Sequence, residues 1–288
     1  MQHLFKRLRE GATNEDLQKS VAAALASTIA KQPVATQYRV LILHDDNRLL
    51  ENDSDRIYTA INKYESKDPI LLVIYSPGGA IGPAYMIGKM CRRSSPDRFL
   101  VAVPRKAKSA ATLIACAADE IHMGMLSELG PIDPHLDDVP AIALKNSIEH
   151  IASLTSQYPK AAEMFAQYLS KSLSIEQLGH YERLVESAEQ YAERLLAARA
   201  AKSAKQPKQI ATQLVREYKD HSFVIDSAEA TSIFGPEIVR YETDEYRLAN
   251  AIYESLSFLR IVLDVIGKRV LYFVGSPSDG AVVFTPKT

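Results

Sequence analysis

Three short runs of the chain are almost continuously apolar, Arg39–His44, Ile70–Tyr75 and Phe99–Val103, and Glu120–Met123 follows as a shorter piece. They are too short for buried helices and too apolar for strands with one wet face, so they read as strands covered on both sides. The stretches between them carry apolar side chains at helical spacing. Residues 54–65 place Ile57, Ala60, Ile61 and Tyr64 on one face, and residues 82–93 and the small-residue stretch 109–118 also read as helices. Strands alternating with helices call for right-handed crossovers and a parallel sheet. Such a sheet puts its ligand site at the carboxyl ends of the strands.

The flanks read differently. Residues 12–31 form an amphipathic helix capped by Thr13 or Asn14. Residues 142–204 are nearly all helix formers, with Leu169, Leu173, Leu178, Leu184, Leu195 and Leu196 interleaved with charge. An Ala/Lys-rich stretch, residues 197–208, reaches Pro207, and residues 208–219 read as a further short helix. A strand-like piece at 221–225 precedes a capped helix at 226–230. A long amphipathic helix at 246–266 is followed by residues 270–274 and Ala281–Phe284, which flank a Gly/Ser/Pro turn and read as a hairpin. No internal repeat is present. The expected organisation is an N-terminal helical arm at 1–37, an α/β domain at 38–240 holding the helical segment 142–207, and a C-terminal helix and hairpin at 241–288.

Composition narrows the function classes. The chain has 288 residues, 47% hydrophobic and 24% charged, an ordinary balance for a soluble globular protein. A net charge of −1 gives no pull toward nucleic acid. The longest apolar run near the N-terminus, residues 21–30, is about half the length that spans a bilayer. It lacks a cleavage pattern, so the expected location is cytoplasmic with no transmembrane segment. Cys91 and Cys116 lie in apolar helical segments and read as buried free thiols. No phosphate-loop or dinucleotide fingerprint and no His-x-x-x-His or Glu-x-x-His pair occurs, so neither cofactor nor metal is expected.

Two segments carry candidate chemistry. Ser76-Pro77-Gly78-Gly79 ends a strand, where glycines let bare backbone N–H groups face a cleft. Lys108-Ser109-Ala110-Ala111 follows the next strand and opens a helix, where free N–H groups and the helix dipole favour negative charge. A hydroxyl beside such donors is the minimum equipment for acyl transfer. Taken singly, each segment is also what a tight turn or an ordinary serine cap requires.

Together with the strand and helix between them, these segments resemble the Clp-protease/crotonase superfamily over residues 70–135. Lys108-Ser109-Ala110-Ala111, Ala118-Asp119-Glu120-Ile121, Leu129-Gly130-Pro131-Ile132-Asp133-Pro134 and the late His221-Ser222-Phe223-Val224-Ile225-Asp226 more narrowly resemble the serine dehydrogenase proteinase family. That family is a distant relative of Clp proteases and signal peptide peptidase A, and the likeness extends over about residues 38–240. It implies a crotonase/Clp-protease-like α/β fold, a parallel sheet with stacked helices, a helical insertion and a C-terminal helix plus hairpin.

The resemblance also implies a Ser-Asp-His order along the chain. Ser109 is then the nucleophile, Asp133 the acid and His221 the base, with Gly78, Gly79 and Ala110 as backbone oxyanion donors. Asp133 falls close to where Clp proteases have their histidine, and His221 where they have their aspartate. Two rival bases remain at this stage. His135 lies two residues after Asp133, and Lys145 stands 36 residues after Ser109, a separation compatible with the Ser-Lys dyad of signal peptide peptidase relatives. The expected activity is a serine hydrolase, a peptidase on peptide or protein substrates. The competing expectation is a catalytically silent interaction module of the same fold. Residues 161–196 carry more apolar side chains than one helical layer hides, Phe165, Tyr168, Leu169, Leu173, Tyr181 and Leu184 among them, so a homo-oligomer is expected.

Overall fold

The computed structural model describes residues 12–136, 139–172, 175–199, 205–267 and 269–285. Within the Ala/Lys-rich stretch, residues 200–204 lie outside the described residues, as does Leu173. Helix α1 (Asn14–Ile29) opens with a capping box in which the Asp16 N–H donates to Thr13 Oγ1 and the Thr13 N–H donates to Asp16 Oδ2. The α/β alternation follows: β1 (Arg39–His44), α2 (Glu51–Lys63), β2 (Ile70–Tyr75), α3 (Ile81–Ser94), β3 (Phe99–Val103), the short β4 (Lys106–Ala107), α4 (Ala110–Ala115) and β5 (Glu120–Met123). Helix α2 starts three residues before the apolar rhythm predicts, because the Asp53 carboxylate accepts the Leu50 N–H at 2.8 Å and closes the first turn.

After β5 come the short β6 (Glu128–Leu129), a two-residue pairing of β7 (His135–Leu136) with β8 (Val139–Pro140), and three helices, α5 (Ala141–Gln157), α6 (Ala162–Ser172) and α7 (Ile175–Ala197). Then follow α8 (Pro207–Thr212), α9 (Ser227–Phe234), β9 (Val239–Tyr241), the long α10 (Asp244–Gly267), and the hairpin β10 (Val270–Gly275) and β11 (Ala281–Phe284). The strands form one seven-stranded sheet in the order β11-β10-β1-β2-β3-β5-β9. Strands β1, β2, β3, β5 and β9 are parallel, and the hairpin adds two antiparallel strands beyond β1.

The sheet is covered on both faces, which is why its strands are apolar without alternation. Leu41, Leu43, Leu72, Ile74, Val101 and Val103 point into a core shared with α2, α3, α4 and α7. The intervening residues, Val40, Ile42, Leu71, Val73, Leu100 and Ala102, pack on α1 and α10. Cys91 and Cys116 are free and fully buried in the first core, where burial pushes both thiols up to about 12.

Two sequence expectations shift in the structure. Residues 221–225 are not a strand: only Ile225 pairs, in an isolated antiparallel bridge to Leu129. The helix expected at 208–219 is α8 continued by a wide π-type turn, Gln213–Glu217.

Candidate active site

The carboxyl end of β2 runs into Ser76-Pro77-Gly78-Gly79. The Ser76 N–H donates to the Lys106 carbonyl (2.9 Å) and the Lys108 N–H donates to the Ser76 carbonyl (3.1 Å). The segment that delivers Ser109 is thus laced to the turn. Gly78 and Gly79 both have positive φ, at +95° and +156°. A Cβ on Gly78 would stand 2.6 Å from the Lys108 carbonyl oxygen and 2.9 Å from Ser109 Cβ. On Gly79 it would meet the Leu49 backbone N at 2.3 Å. Leu49 clamps the turn from its other side, donating its N–H to the Gly78 carbonyl (2.9 Å) and accepting the Ala80 N–H (2.8 Å). The Gly79 N–H takes no part in that bridge. The Gly78 N–H is engaged, donating to Ser76 Oγ at 3.1 Å.

Ser109 sits at φ +50°, ψ −118°, in the N-cap position of α4, and its side chain makes no cap hydrogen bond. Glu242 is the other non-glycine residue with positive φ among the described residues. A serine held in a strained strand-to-helix elbow projects its hydroxyl away from the backbone, a geometry shared by serine nucleophiles on α/β sheets. The Ala110 N–H behind it opens the helix and has no intrahelical acceptor. Thr112, the one polar side chain within α4, is wholly buried. Its hydroxyl donates to the Ala107 carbonyl (2.6 Å) and accepts the Gly130 N–H (3.0 Å). It thereby ties the elbow to the Gly130-Pro131-Ile132-Asp133 loop. Sequence reasoning passed over Thr112, although a lone hydroxyl in an apolar helix turn was the available signal.

Asp133 is buried, and its carboxylate faces two imidazoles. Oδ1 lies 2.5 Å from His221 Nδ1, and Oδ2 lies 3.2 Å from His135 Nε2. The two rings stand 4.0 Å apart, centroid to centroid. The Leu129–Ile225 bridge brings the His221 segment to the Asp133 loop, and the Ile132 N–H donates to the Leu214 carbonyl at 2.8 Å. Lys108 reinforces this junction: its ammonium pairs with Glu128 (3.0 Å) and donates to the Phe223 carbonyl (3.0 Å), so it is a brace and not a solvated charge. Ser109, Asp133, His135 and His221 line one cleft of about 400 Å³ together with Gly78, Gly79 and Ala110. Arg48, not singled out from the sequence, and Leu184, expected from the sequence on a partner surface, also line it. No hydrogen bond joins Ser109 Oγ to His221 or His135 among the described contacts. Lys145 lies on α5, and its side chain is outside the described residues.

The remaining histidines have other surroundings. His122 is buried at the end of β5, bonded to Thr243 Oγ1 (2.7 Å) and facing Glu120 (3.3 Å). The Glu120 carboxyl is held down at about 2, first by His122 and then by Arg98. His150 and His180 are exposed on α5 and α7.

An elbow serine, a glycine turn beside it and an acid–imidazole pair in one cleft set the frame for comparison with known proteins. Residues 22–157 match the family of ClpP-like SDH-type serine proteinases. The parallel α/β part of the fold lies largely within that match. The chain also aligns with two uncharacterized proteins of Methanocaldococcus jannaschii. One is 40% identical over 97 residues, 34% of this chain and 34% of the relative. The other is 35% identical over 92 residues, 32% of this chain and 31% of the relative. The chain therefore spans about a third of the length of the curated relatives it matches. Among solved structures, the chain is similar to a 1510-N membrane-bound stomatin-specific protease in complex with a substrate peptide (TM-score 0.46, 14% identity, 73% of this chain and 78% of that one). It is also similar to a ClpP1 variant from Listeria monocytogenes (TM-score 0.45, 15% identity, 72% and 94%).

Proposed function

We propose that the chain is a serine peptidase working through an acyl-enzyme, with Ser109 as nucleophile, His221 as general base and Asp133 as the group that orients it. The observation that carries this reading is the 2.5 Å contact between Asp133 Oδ1 and His221 Nδ1, in the cleft that the Ser109 elbow enters. With Nδ1–H given to the carboxylate, the Nε2 lone pair is free to take the Ser109 proton as Oγ attacks a carbonyl. The imidazolium then returns that proton to the leaving amine, while the buried carboxylate stabilises the cation. The oxyanion is assigned to the N–H groups of Gly79 and Ala110, since the Gly78 N–H is engaged by Ser76. One such donor is worth about 3–4 kcal/mol to the transition state. His135 shares Asp133 at the longer distance and is given no proton-transfer role.

The substrate class is peptide or protein. No helix among the described residues is long and apolar enough to cross a membrane, which is compatible with a cytoplasmic enzyme. A homo-oligomer is part of the same proposal. It is supported by Phe258, Ile261 and Val265, which leave one stripe of α10 exposed.

The test is covalent labelling with a fluorophosphonate at neutral pH, with peptide hydrolysis followed in parallel. Wild type is expected to label at Ser109, and Ser109→Ala to lose the label while keeping its far-UV dichroism. His221→Ala is expected to fall by several orders of magnitude and Lys145→Ala to stay active. An active His221→Ala with a dead Lys145→Ala would move the protein to the Ser-Lys class, and equal labelling of Ser109→Ala would remove Ser109 from the mechanism.

A further inference from the structure

The proposed triad needs one imidazole, yet Asp133 holds two. His135 Nε2 and His221 Nδ1 approach opposite oxygens of one buried carboxylate, and the three donor atoms lie within 4.8 Å of one another. Both histidines are partly exposed and line the cleft, so a small hydrated ion reaches them from solvent. Two imidazoles and one carboxylate, with a fourth position open to water, form a zinc-type donor set. Oxygen-seeking magnesium and calcium are poorly served by two nitrogens, whereas zinc is well served. Zinc binds such ligands at about 2.0–2.2 Å, which places neighbouring donors about 3.4 Å apart in a tetrahedron.

We propose that Asp133, His135 and His221 form a zinc-binding site whose occupation switches the peptidase off. The consequence rests on the serine peptidase reading; the ion site does not. The chemistry is a matter of one proton. A neutral imidazole carries a single N–H. With Nδ1–H bonded to Asp133, the Nε2 lone pair is available to Ser109. With Nδ1 bound to zinc, the remaining proton sits on Nε2, and His221 has no lone pair to offer. Zinc also takes the carboxylate that orients the ring. The metal therefore blocks the base by fixing the other tautomer, without touching Ser109. His135 is the residue that turns a catalytic pair into a three-ligand site.

The experiment uses the full chain, freed of metal with a chelator. Zinc chloride is titrated by calorimetry into Ser109→Ala, which cannot turn over. Saturable one-to-one binding is expected, with magnesium chloride giving none. His135→Gln and His221→Gln, each added to Ser109→Ala, are expected to weaken zinc by about tenfold or more. In the wild type, fluorophosphonate labelling is expected to stop as zinc reaches stoichiometry and to return with chelator. The zinc concentration that halves labelling should rise at least tenfold in His135→Gln, measured against that variant's own metal-free rate. Absence of saturable zinc binding by a folded Ser109→Ala overturns the site. Binding with undiminished labelling overturns the switch. Binding by a chain that never labels overturns the peptidase reading and the switch with it, and leaves the ion site standing.

Discussion

The same substitution at Gly78, in the Ser76-Pro77-Gly78-Gly79 turn, and at Gly82, a few residues on, is expected to give very different results. At Gly78 the backbone has φ +95°, and an added Cβ would lie 2.6 Å from the Lys108 carbonyl oxygen, 2.9 Å from Ser109 Cβ and 3.0 Å from the Ala110 nitrogen. All three belong to the elbow or the residue before it, and none sits at the end of a flexible side chain. Relief requires the backbone of 108–110 to retreat by about half an ångström or more. Left-handed backbone costs an L-residue about 1–2 kcal/mol. With the contact strain of a crowded core added, the expected loss for Gly78→Ala is about 2–4 kcal/mol of stability. A reacting atom misplaced by about 1 Å loses about 10²-fold in rate, so labelling of Ser109 is expected to fall by one to two orders of magnitude. At Gly82 nothing lies within 4 Å of the new Cβ, and the residue is in the first turn of α3. Gly82→Ala gains helix propensity but places a Cβ in αR backbone directly before Pro83, so its stability is expected to stay within about 1 kcal/mol of wild type and its labelling rate within about twofold. Urea unfolding gives the stabilities, and the time course of fluorophosphonate labelling gives the rates. The reasoning fails if Gly78→Ala unfolds at the wild-type midpoint and labels at the wild-type rate.

Three further predictions come from named contacts. Asp133→Asn keeps the shape beside His221 but presents an amide that no longer fixes the Nδ1–H tautomer; peptide hydrolysis is expected to fall by about 10⁴-fold with little change in unfolding midpoint. Thr112→Val removes a buried hydroxyl shared by the Ala107 carbonyl and the Gly130 N–H, and a loss of about 1–3 kcal/mol in urea unfolding is expected, with slower labelling as the elbow loosens from the Asp133 loop. His44, stacked on Tyr75 at 4.6 Å, is held down at about 3 by burial, then by Arg260 and Lys106. The unfolded chain takes up that proton near pH 6.5 and the folded one does not. Stability is therefore full above that pH and falls on acidification between about 6.5 and 3, by up to about 4–5 kcal/mol from this group. In His44→Phe the slope of unfolding free energy against pH across that window should be shallower by one proton, and an unchanged slope would refute the assignment.

What could be read from the sequence follows how local each signal is. The parallel strands at 39–44, 70–75 and 99–103 are legible because each is a buried apolar run, and 120–123 (Glu-Ile-His-Met) because it continues their alternation with helices. Strand β9 was not, because Val239, Arg240 and Tyr241 are too few to show a rhythm, and pairing with β5 makes them a strand. Strands β4 and β6 have two residues each and exist through each other. Ser109 is legible as a nucleophile candidate at a helix start, but its positive φ leaves no local trace in the sequence. The second imidazole on Asp133 was visible only as a rival base. That both histidines use the same carboxylate is a fact of loop placement.

That placement also bears on the proposed order of acid and base along the chain. Asp133 and His221 are 88 residues apart, on two loops joined by the Leu129–Ile225 bridge and braced by Lys108, which reaches Glu128 on one side and the Phe223 carbonyl on the other. The scaffold fixes the distance between the two loops, not which of them carries the carboxylate. A carboxylate on the 130–134 loop and an imidazole on the 221–225 loop make the same hydrogen bond as the reverse assignment, provided the imidazole ends nearer the elbow. The requirement on the chain is therefore that residue 221 be held at the mouth of the cleft and residue 133 behind it. The burial of Asp133 and the partial exposure of His221 satisfy it. His135 enters through the same geometry. Two residues beyond Asp133 and at the start of β7, it reaches the far oxygen of the carboxylate, where a second ring contacts Asp133 without displacing the first.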